Sequence, residues 1–210
     1  DASAWKNSLP KVQTGAMKGG SLLDCLLTTP HEFDARYAVS IYDEFRTKEA
    51  KSWRDEMEAS GKSVVKIDQL DAAQAQLKAI VNKPEALSLI NGAQFQVAFR
   101  HETAYPFASK GLIDILPDDG ETIVDLKTCE PSALESVRSL QKHLTTYKYH
   151  LQAGAYCDGM ATASGIERTQ FKFIFVTSKP PFRVAVVSLP FPAIWDGEVE
   201  IDLPEYAYGE

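Results

Sequence analysis

Two carboxylates and a lysine flank a turn in the middle of the chain. Asp114 lies just before the Pro-Asp-Asp-Gly turn at 117–120, and Asp125 and Lys127 lie just after it. Short apolar runs on both sides of such a turn predict a β-hairpin. Because side chains alternate between the two faces of a strand, Asp125 and Lys127 share one face, and the hairpin can bring Asp114 close to them.

Phosphodiester hydrolysis is the chemistry that this grouping favours. The reaction needs charge compensation on the phosphate, an activated water and help for the leaving oxygen. Mg²⁺ or Mn²⁺, held by one or two carboxylates and a backbone carbonyl, supplies much of this, and an adjacent lysine can orient or deprotonate the water. A D-x-K triplet alone is a weak motif, so a surface hairpin with a cross-strand salt bridge is the alternative.

A polar face on the helix predicted over 147–162 strengthens the first interpretation. Tyr149, Gln152 and Tyr156 are spaced three and four residues apart, so they lie on one side of that helix. Two phenols and an amide make this face too polar for a core helix. They suit the wall of a phosphate-binding site, where they donate hydrogen bonds. Tyrosines that pack with exposed hydroxyls are the alternative.

Two further charged residues each allow two interpretations. Asp24 interrupts the otherwise apolar helix predicted over 21–27, so it is either a surface residue or a buried ligand. Lys110 lies four residues before Asp114 on the same strand face, so it is either a phosphate contact or an exposed strand-end residue.

A basic cluster between 136 and 150 is the predicted DNA contact, although a solvated helix face explains it equally well. Its members are Arg138, Lys142, His143, Lys148 and His150. The net charge of −7 argues against binding nucleic acid through bulk electrostatics. It does not exclude a local DNA contact, because carboxylates that hold metal account for some of the acidic residues.

The 210 residues, of which 44% are hydrophobic, predict one globular domain with a sizeable core. No apolar run approaches the roughly 20 residues that span a bilayer, and the N-terminal residues show no signal pattern. The three cysteines, Cys25, Cys129 and Cys157, are widely spaced and odd in number. They favour a reducing, cytoplasmic location over a zinc module or a disulfide framework.

The apolar patterns predict helices followed by a sheet. Helices are expected over 21–27, from about Pro30, and over 47–60, 70–82, 84–92, 132–144 and 147–162. Strands are expected over 94–101, 110–116, 122–128, 170–177 and 183–189. We therefore expect an α/β (α+β) domain with a mixed sheet. Its helical part covers about 1–92, its sheet-rich core about 93–190, and an irregular tail follows.

The order of these motifs resembles the PD-(D/E)xK nuclease superfamily, and within it the RecB-like exonucleases related to the RecE-type exonuclease VIII of phages and prophages. The matched segments are 20–33, 110–114, 123–128 and 147–156. The resemblance implies a restriction-endonuclease-like core in which Asp114, Asp125 and the Leu126 carbonyl bind metal. It also implies that Lys127 is the catalytic lysine and that Gln152 and Tyr156 form the helix motif of RecB-type enzymes.

The chain departs from the family pattern at three places. Asp24 stands where many relatives carry a metal-binding histidine, and an aspartate oxygen suits Mg²⁺. Relatives also carry a glutamate on the strand before Asp114, where this chain has Gln96 nearest by register and Glu102 further on. Relatives usually place a long helix before a C-terminal tail rich in Trp and Pro, and almost nothing separates the two between Ser188 and Trp195. Either the protein lacks this helix or a disordered segment is missing from the sequence.

The resemblance implies a Mg²⁺-dependent exonuclease, with Mn²⁺ as a substitute, in the cytoplasm of a bacterium or of a phage-infected host. It would degrade the 5′ strand at double-stranded DNA ends and leave 3′ single strands for an annealing protein. A ring-shaped homo-oligomer would supply processivity. Two other functions stay open, a non-catalytic DNA-binding or assembly protein with a degenerate site and a structure-specific endonuclease of the same superfamily.

Overall fold

The computed structural model describes residues 15–102 and 108–190. Its helices are Gly15–Thr28 (α1), Phe33–Arg36 (α2), Lys48–Ala59 (α3), Ile67–Val81 (α4), Pro84–Ile90 (α5), Val137–Thr146 (α6) and Tyr149–Ser164 (α7), with 3-10 turns at Pro30–Glu32 and Pro131–Leu134. Its strands are Tyr37–Val39 (β1), Ser63–Val65 (β2), Gln94–His101 (β3), Ser109–Leu116 (β4), Thr122–Cys129 (β5), Gln170–Thr177 (β6) and Val184–Pro190 (β7). None of the described helices is long and apolar enough to cross a membrane.

A mixed sheet of five strands, in the order β3-β4-β5-β6-β7, forms the centre of the fold. Strands β5 and β6 are parallel, and the other neighbours are antiparallel. Antiparallel neighbours need only short connections, whereas a parallel pair needs a crossover, which α6 and α7 provide here. The predicted α/β class with a mixed sheet is therefore confirmed.

Both faces of the sheet are covered, so β5 and β6 are apolar along most of their length. On the α7 side, Ile123 and the buried rings Phe171, Phe173 and Phe175 pack with Ala153 and Cys157 of the helix. On the other side, Val124, Ile174 and Val176 pack with Leu23 of α1 and Ile80 of α4. Asp125 and Lys127 point to the α7 side because Val124 and Leu126 point to the opposite core.

A phenylalanine between two glycines sets how closely α7 approaches the sheet. A Cβ atom added to Gly111 of β4 or to Gly159 of α7 would lie 2.4 Å from the ring of Phe99 on β3. Carbon atoms cannot approach that closely, so both positions require glycine as long as Phe99 keeps its place. The contact draws the polar face of α7 towards the strand that carries Asp114.

The sequence prediction missed one strand pairing and misplaced four helix starts. Strands β1 and β2 form a separate parallel pair of three residues each, and so short a run shows too little alternation to be recognised. Helix α1 begins at Gly15, before the expected residue 21. Helix α4 begins at Ile67 instead of residue 70, and α6 begins at Val137 instead of residue 132. Helix α7 begins two residues late because Lys148 adopts a left-handed backbone conformation with a φ of 56°. The predicted C-terminal tail lies outside the described residues.

Candidate active site

The acid and the lysine of the D-x-K triplet meet on β5. Asp125 is only 4% exposed, and its Oδ2 forms an ion pair with the Lys127 ammonium. Lys127 Nζ also lies 5.2 Å from the centre of the Tyr149 ring on α7. A buried carboxylate does not match the alternative of a surface hairpin. Burial disfavours a charge unless it has a compensating partner, and Lys127 is that partner.

Asp114 reaches the site from the neighbouring strand, β4. The β4–β5 register pairs Ile115 with Val124, which places Asp114 opposite Asp125. The Leu126 amide donates a hydrogen bond of 3.0 Å to Asp114 Oδ2, so a side chain takes the place of a backbone acceptor there. The two carboxylates therefore lie side by side at a point where the regular ladder between β4 and β5 stops.

Helix α7 supplies an amide and two phenols to the same place. Gln152 Nε2 donates a hydrogen bond of 2.5 Å to Asp125 Oδ1. Burial, together with the charge of Asp125, raises the pKa of Tyr149 to about 12, and the same two effects raise the pKa of Tyr156. The predicted polar face of Tyr149, Gln152 and Tyr156 therefore turns towards the carboxylates and not towards solvent.

Asp24 reaches the edge of the site from α1 through a small hydrogen-bond network. Gln96 Nε2 donates to Asp24 Oδ1 over 3.0 Å and to Thr28 Oγ1 over 3.2 Å. The flanking β3–β4 pairs place Gln96 opposite Asp114, and its φ of 53° is unusual for a residue other than glycine. Gln96 thus occupies the expected position of the glutamate, and its amide binds a carboxylate instead of adding one.

Glu102, the other candidate for that glutamate, lies elsewhere. Its side chain is 81% exposed and forms a salt bridge with Arg100 at the end of β3. The structure therefore favours Gln96 over Glu102 as the residue that stands at the expected position.

Burial raises the pKa of all three acids, and repulsion from Asp125 adds to this effect at Asp114 and Asp24. Burial, and then the charge of Asp125, raises the pKa of Asp114 to about 7. Burial also raises the pKa of Asp125, against the opposing effect of Lys127. The pKa of Asp24 is raised by burial, and the nearby Arg36 guanidinium opposes that rise. A cation between the acids would remove this repulsion.

The donor set fits a divalent cation that prefers oxygen ligands. Asp125 Oδ2 is buried and, apart from its ion pair with Lys127, has no hydrogen-bond partner among the described residues. Within residues 15–102 and 108–190, no three His, Cys, Asp or Glu side chains are close enough to hold a metal together. Asp114 and Asp125 would therefore need the Leu126 carbonyl, water or a substrate phosphate to complete a coordination shell, and Asp24 stays bound to Gln96.

The predicted DNA-binding cations lie on the protein surface. Lys110, Arg138, Lys142 and Lys148 are exposed, and the described part of the chain offers none of them a salt-bridge partner. Arg138 and Lys142 lie one turn apart on α6, opposite its buried leucines Leu140 and Leu144. This arrangement agrees with a solvated face and with a phosphate contact.

Sequence reasoning missed Thr28 and Arg36. Thr28 is buried one turn after Asp24, and its hydroxyl donates to the Asp24 backbone carbonyl over 2.8 Å. Arg36 donates to Thr29 Oγ1 over 3.3 Å and lies close enough to affect Asp24. The spacing of four residues between Asp24 and Thr28 was a usable signal, whereas nothing local connects Arg36 with α1.

Known proteins show the same fold. A family model described as a PDDEXK-like domain of unknown function (DUF3799) matches residues 2–200. The crystal structure of a candidate exonuclease from Eubacterium rectale is similar over 98% of this chain and 77% of that one, with 14% identity and a TM-score of 0.62. This likeness shows a restriction-endonuclease-like fold. A structure of SSO0001 matches 66% of this chain and 61% of its own, at 14% identity and a TM-score of 0.35, which is too weak to support a conclusion. No curated protein matches significantly.

Proposed function

Because the chain belongs to the family of PDDEXK-like domains of unknown function, we propose that it is a metal-dependent deoxyribonuclease. The observation that carries the proposal is the contact set around Asp125. Its two oxygens are bound by Lys127 and Gln152, and Asp114 lies opposite on the next strand. A purely structural site has no need to bury two mutually repelling carboxylates.

Each residue then has a distinct part in phosphodiester hydrolysis. Asp114, Asp125 and the Leu126 carbonyl would hold Mg²⁺, or Mn²⁺ in its place, and Asp24 would join them only by giving up its hydrogen bond with Gln96. The bound ion supplies charge compensation on the phosphate and lowers the pKa of water. Lys127 orients the attacking water and stabilises the negative charge on the phosphate oxygens. Water forms the new bond to phosphorus, the bond to the leaving oxygen breaks, and that oxygen takes up a proton.

The residues of α7 act through position. Gln152 keeps the Asp125 carboxylate in one orientation through its hydrogen bond of 2.5 Å. Tyr156 packs edge-on against Phe99 and Phe171, which holds its phenol near Gln152. Tyr149 lies under the Lys127 ammonium. Lys110, Arg138, Lys142 and Lys148 would contact the DNA backbone.

The finer proposal is an exonuclease of the RecE type. It would act on double-stranded DNA ends, remove the 5′ strand and leave a 3′ single strand for a partner annealing protein. A ring of identical subunits would retain the DNA by enclosing it, which an acidic chain can do without strong electrostatic attraction. The motif order and the fold shared with the candidate exonuclease from Eubacterium rectale support this proposal.

One observation favours a second function, a DNA-binding protein with a degenerate nuclease site. Gln96 adds no charge at the position where relatives carry a glutamate, and Asp24 is tied to it. Fewer free carboxylates mean weaker binding of Mg²⁺. Against this alternative, Asp125 and Lys127 form an ion pair, and Asp114 lies opposite Asp125 on the next strand.

Cleavage of end-labelled DNA tests the proposal. Linear and circular duplexes are incubated with the full chain in Mg²⁺, in Mn²⁺ or in EDTA, beside Lys127→Ala. Metal-dependent loss of linear DNA from the labelled 5′ end, absent in Lys127→Ala, supports the exonuclease. Cutting of circles points to an endonuclease instead. Binding without cleavage of any substrate would leave the non-catalytic function.

A further inference from the structure

An exposed tyrosine stacks on the aromatic ring that the proposed catalytic lysine contacts. Tyr147, at the junction of α6 and α7, is 60% exposed, although tyrosine is usually intermediate in burial. Its ring stacks on Tyr149 with centres 5.6 Å apart and planes 17° apart. The ring of His143 lies 4.6 Å away at a tilt. One side of Tyr147 is therefore supported, and much of the ring stays open to solvent.

The rings form a column from the core to the surface. Tyr149 packs on Phe173 and Phe175, which are fully buried on β6. It also lies 5.2 Å from Lys127 Nζ. Tyr147 is the outer end of this column, so its orientation is set by rigid neighbours. A ring that is held in place loses little conformational entropy when a flat ligand stacks on it.

Exposed cations lie on the helix that ends at Tyr147 and on the residue that follows it. Arg138 and Lys142 face solvent on successive turns of α6, and Lys148 follows Tyr147 directly. Among the described residues, none of these three cations has an acidic partner. Exposed cations and an exposed aromatic ring on one surface helix are the residue types with which proteins bind single-stranded nucleic acid.

We propose that Tyr147 stacks on an unpaired nucleobase, so that the strand entering this site is single-stranded at that point. This inference rests on the proposed nuclease function and narrows its substrate. Bases inside a duplex already stack on each other and their faces are closed to a side chain, whereas an unpaired base exposes both faces. The phosphates of that strand would lie along Arg138, Lys142 and Lys148, and the strand would reach Lys127 only after the end has opened.

Binding measured without cleavage tests the stacking. Fluorescence anisotropy in EDTA compares the full chain, Tyr147→Ala and Tyr147→Phe on an oligothymidylate of about 16 nucleotides. A strand of equal length that lacks bases and a blunt duplex serve as the comparison ligands. We expect Tyr147→Ala to weaken binding of the oligothymidylate about fivefold or more, while its affinity for the other two ligands changes less than about twofold. Tyr147→Phe keeps the aromatic face and should bind like the unchanged protein.

Two outcomes would overturn the inference. If Tyr147→Ala weakened the binding of the strands with and without bases equally, Tyr147 would only support Tyr149. Unchanged binding of every ligand by Tyr147→Ala would mean that no base stacks there. The nuclease proposal fails separately, through an absence of metal-dependent cleavage, because the anisotropy measurement needs neither metal nor turnover. Lys142→Ala removes one positive charge and serves as the electrostatic control. It should weaken the binding of all three ligands to a similar extent.

Discussion

Gln152 on α7 donates a hydrogen bond of 2.5 Å to Asp125 Oδ1 on β5, while Lys127 takes the other oxygen of the same carboxylate. Both oxygens are thereby fixed before any substrate arrives. The orientation of Asp125 thus depends on two side chains that lie 25 residues apart in sequence, on two elements that pack against each other.

Replacing Gln152 by glutamate should impair cleavage more than replacing it by alanine. Alanine removes the donor, whereas glutamate also places a second carboxylate against the buried Asp125. We expect losses of about 10- to 100-fold in activity, as for other partners of metal ligands. Initial cleavage rates at saturating Mg²⁺ measure the effect. Gln74→Glu on the exposed side of α4 adds the same charge and should leave the rate unchanged.

Replacing Lys127 by alanine should separate ion binding from chemistry. The lysine contributes charge to the reaction but is no ligand, so its loss should lower the cleavage rate by about 10²- to 10⁴-fold. Thermal stabilisation by Mg²⁺ should persist in the variant. A rate within about twofold of the unchanged protein would contradict this role. Lys78→Ala, at an exposed position of α4, is the matched control.

The parts of the fold with a clear periodicity could be predicted from the sequence. Short runs rich in Phe, Val and Ile, bounded by turn residues, predict strands, and the opposite sides taken by Asp125 and Val124 follow from the pleat of a strand. The contact between Asp24 and Gln96 could not be predicted, because 72 residues separate the two side chains. It depends on how α1 lies across the sheet, which is decided by the packing of Leu23 with Ile80.

Two unusual backbone conformations could not be predicted from the sequence either. The left-handed conformation of Lys148 delays the start of α7, and lysine has no preference that signals such a turn. The positive φ of Gln96 interrupts the pairing of β3 beside Asp114. The positive φ of Gln96 lies at the proposed site, where such strain is common.

A glutamate at position 96 should lower stability without metal and increase the response to metal. Gln96→Glu loses the donor to Asp24 and sets two carboxylates against each other, at a cost of about 1–3 kcal/mol in EDTA. Mg²⁺ should then raise Tm more than it does for the unchanged protein, since a third acid is available. Gln94→Glu on the same strand is exposed and should change neither value. An equal Mg²⁺ response in all three proteins would place position 96 away from the ion.

The close approach of α7 to the sheet predicts opposite effects at two helical glycines. Alanine at Gly159 would bring a methyl group within 2.4 Å of Phe99, so we expect Gly159→Ala to lose about 1–3 kcal/mol of unfolding free energy. Gly19 in α1 has no atom within 4 Å of an added Cβ, and Gly19→Ala should gain about 0.5–1 kcal/mol because alanine favours helix. Urea denaturation of both variants measures the difference. A stability loss in both would argue against the contact with Phe99.

Removing the charge of Asp114 should stabilise the metal-free protein at high pH. The pKa of Asp114 is raised to about 7 by burial and by Asp125, above the value of about 3.9 in an unfolded chain. The stability that this group contributes is therefore complete below about pH 4 and is lost as the pH rises through about 7. Asp114→Asn cannot ionise, so its Tm in EDTA should fall less between about pH 5 and about pH 8 than that of the unchanged protein, by on the order of 5 °C.

Mg²⁺ should restore the Tm that the unchanged protein loses at high pH, and it should raise the Tm of Asp114→Asn much less. The ion binds the charged carboxylates and raises Tm by mass action, whereas Asp114→Asn has lost one ligand and should respond weakly. Asp118→Asn in the exposed turn between β4 and β5 is the matched control and should follow the unchanged protein in both measurements. If the pH dependence in EDTA were the same in Asp114→Asn and the unchanged protein, Asp114 would not carry the raised pKa. The repulsion that favours a bound cation would then have to arise at Asp125 and Asp24.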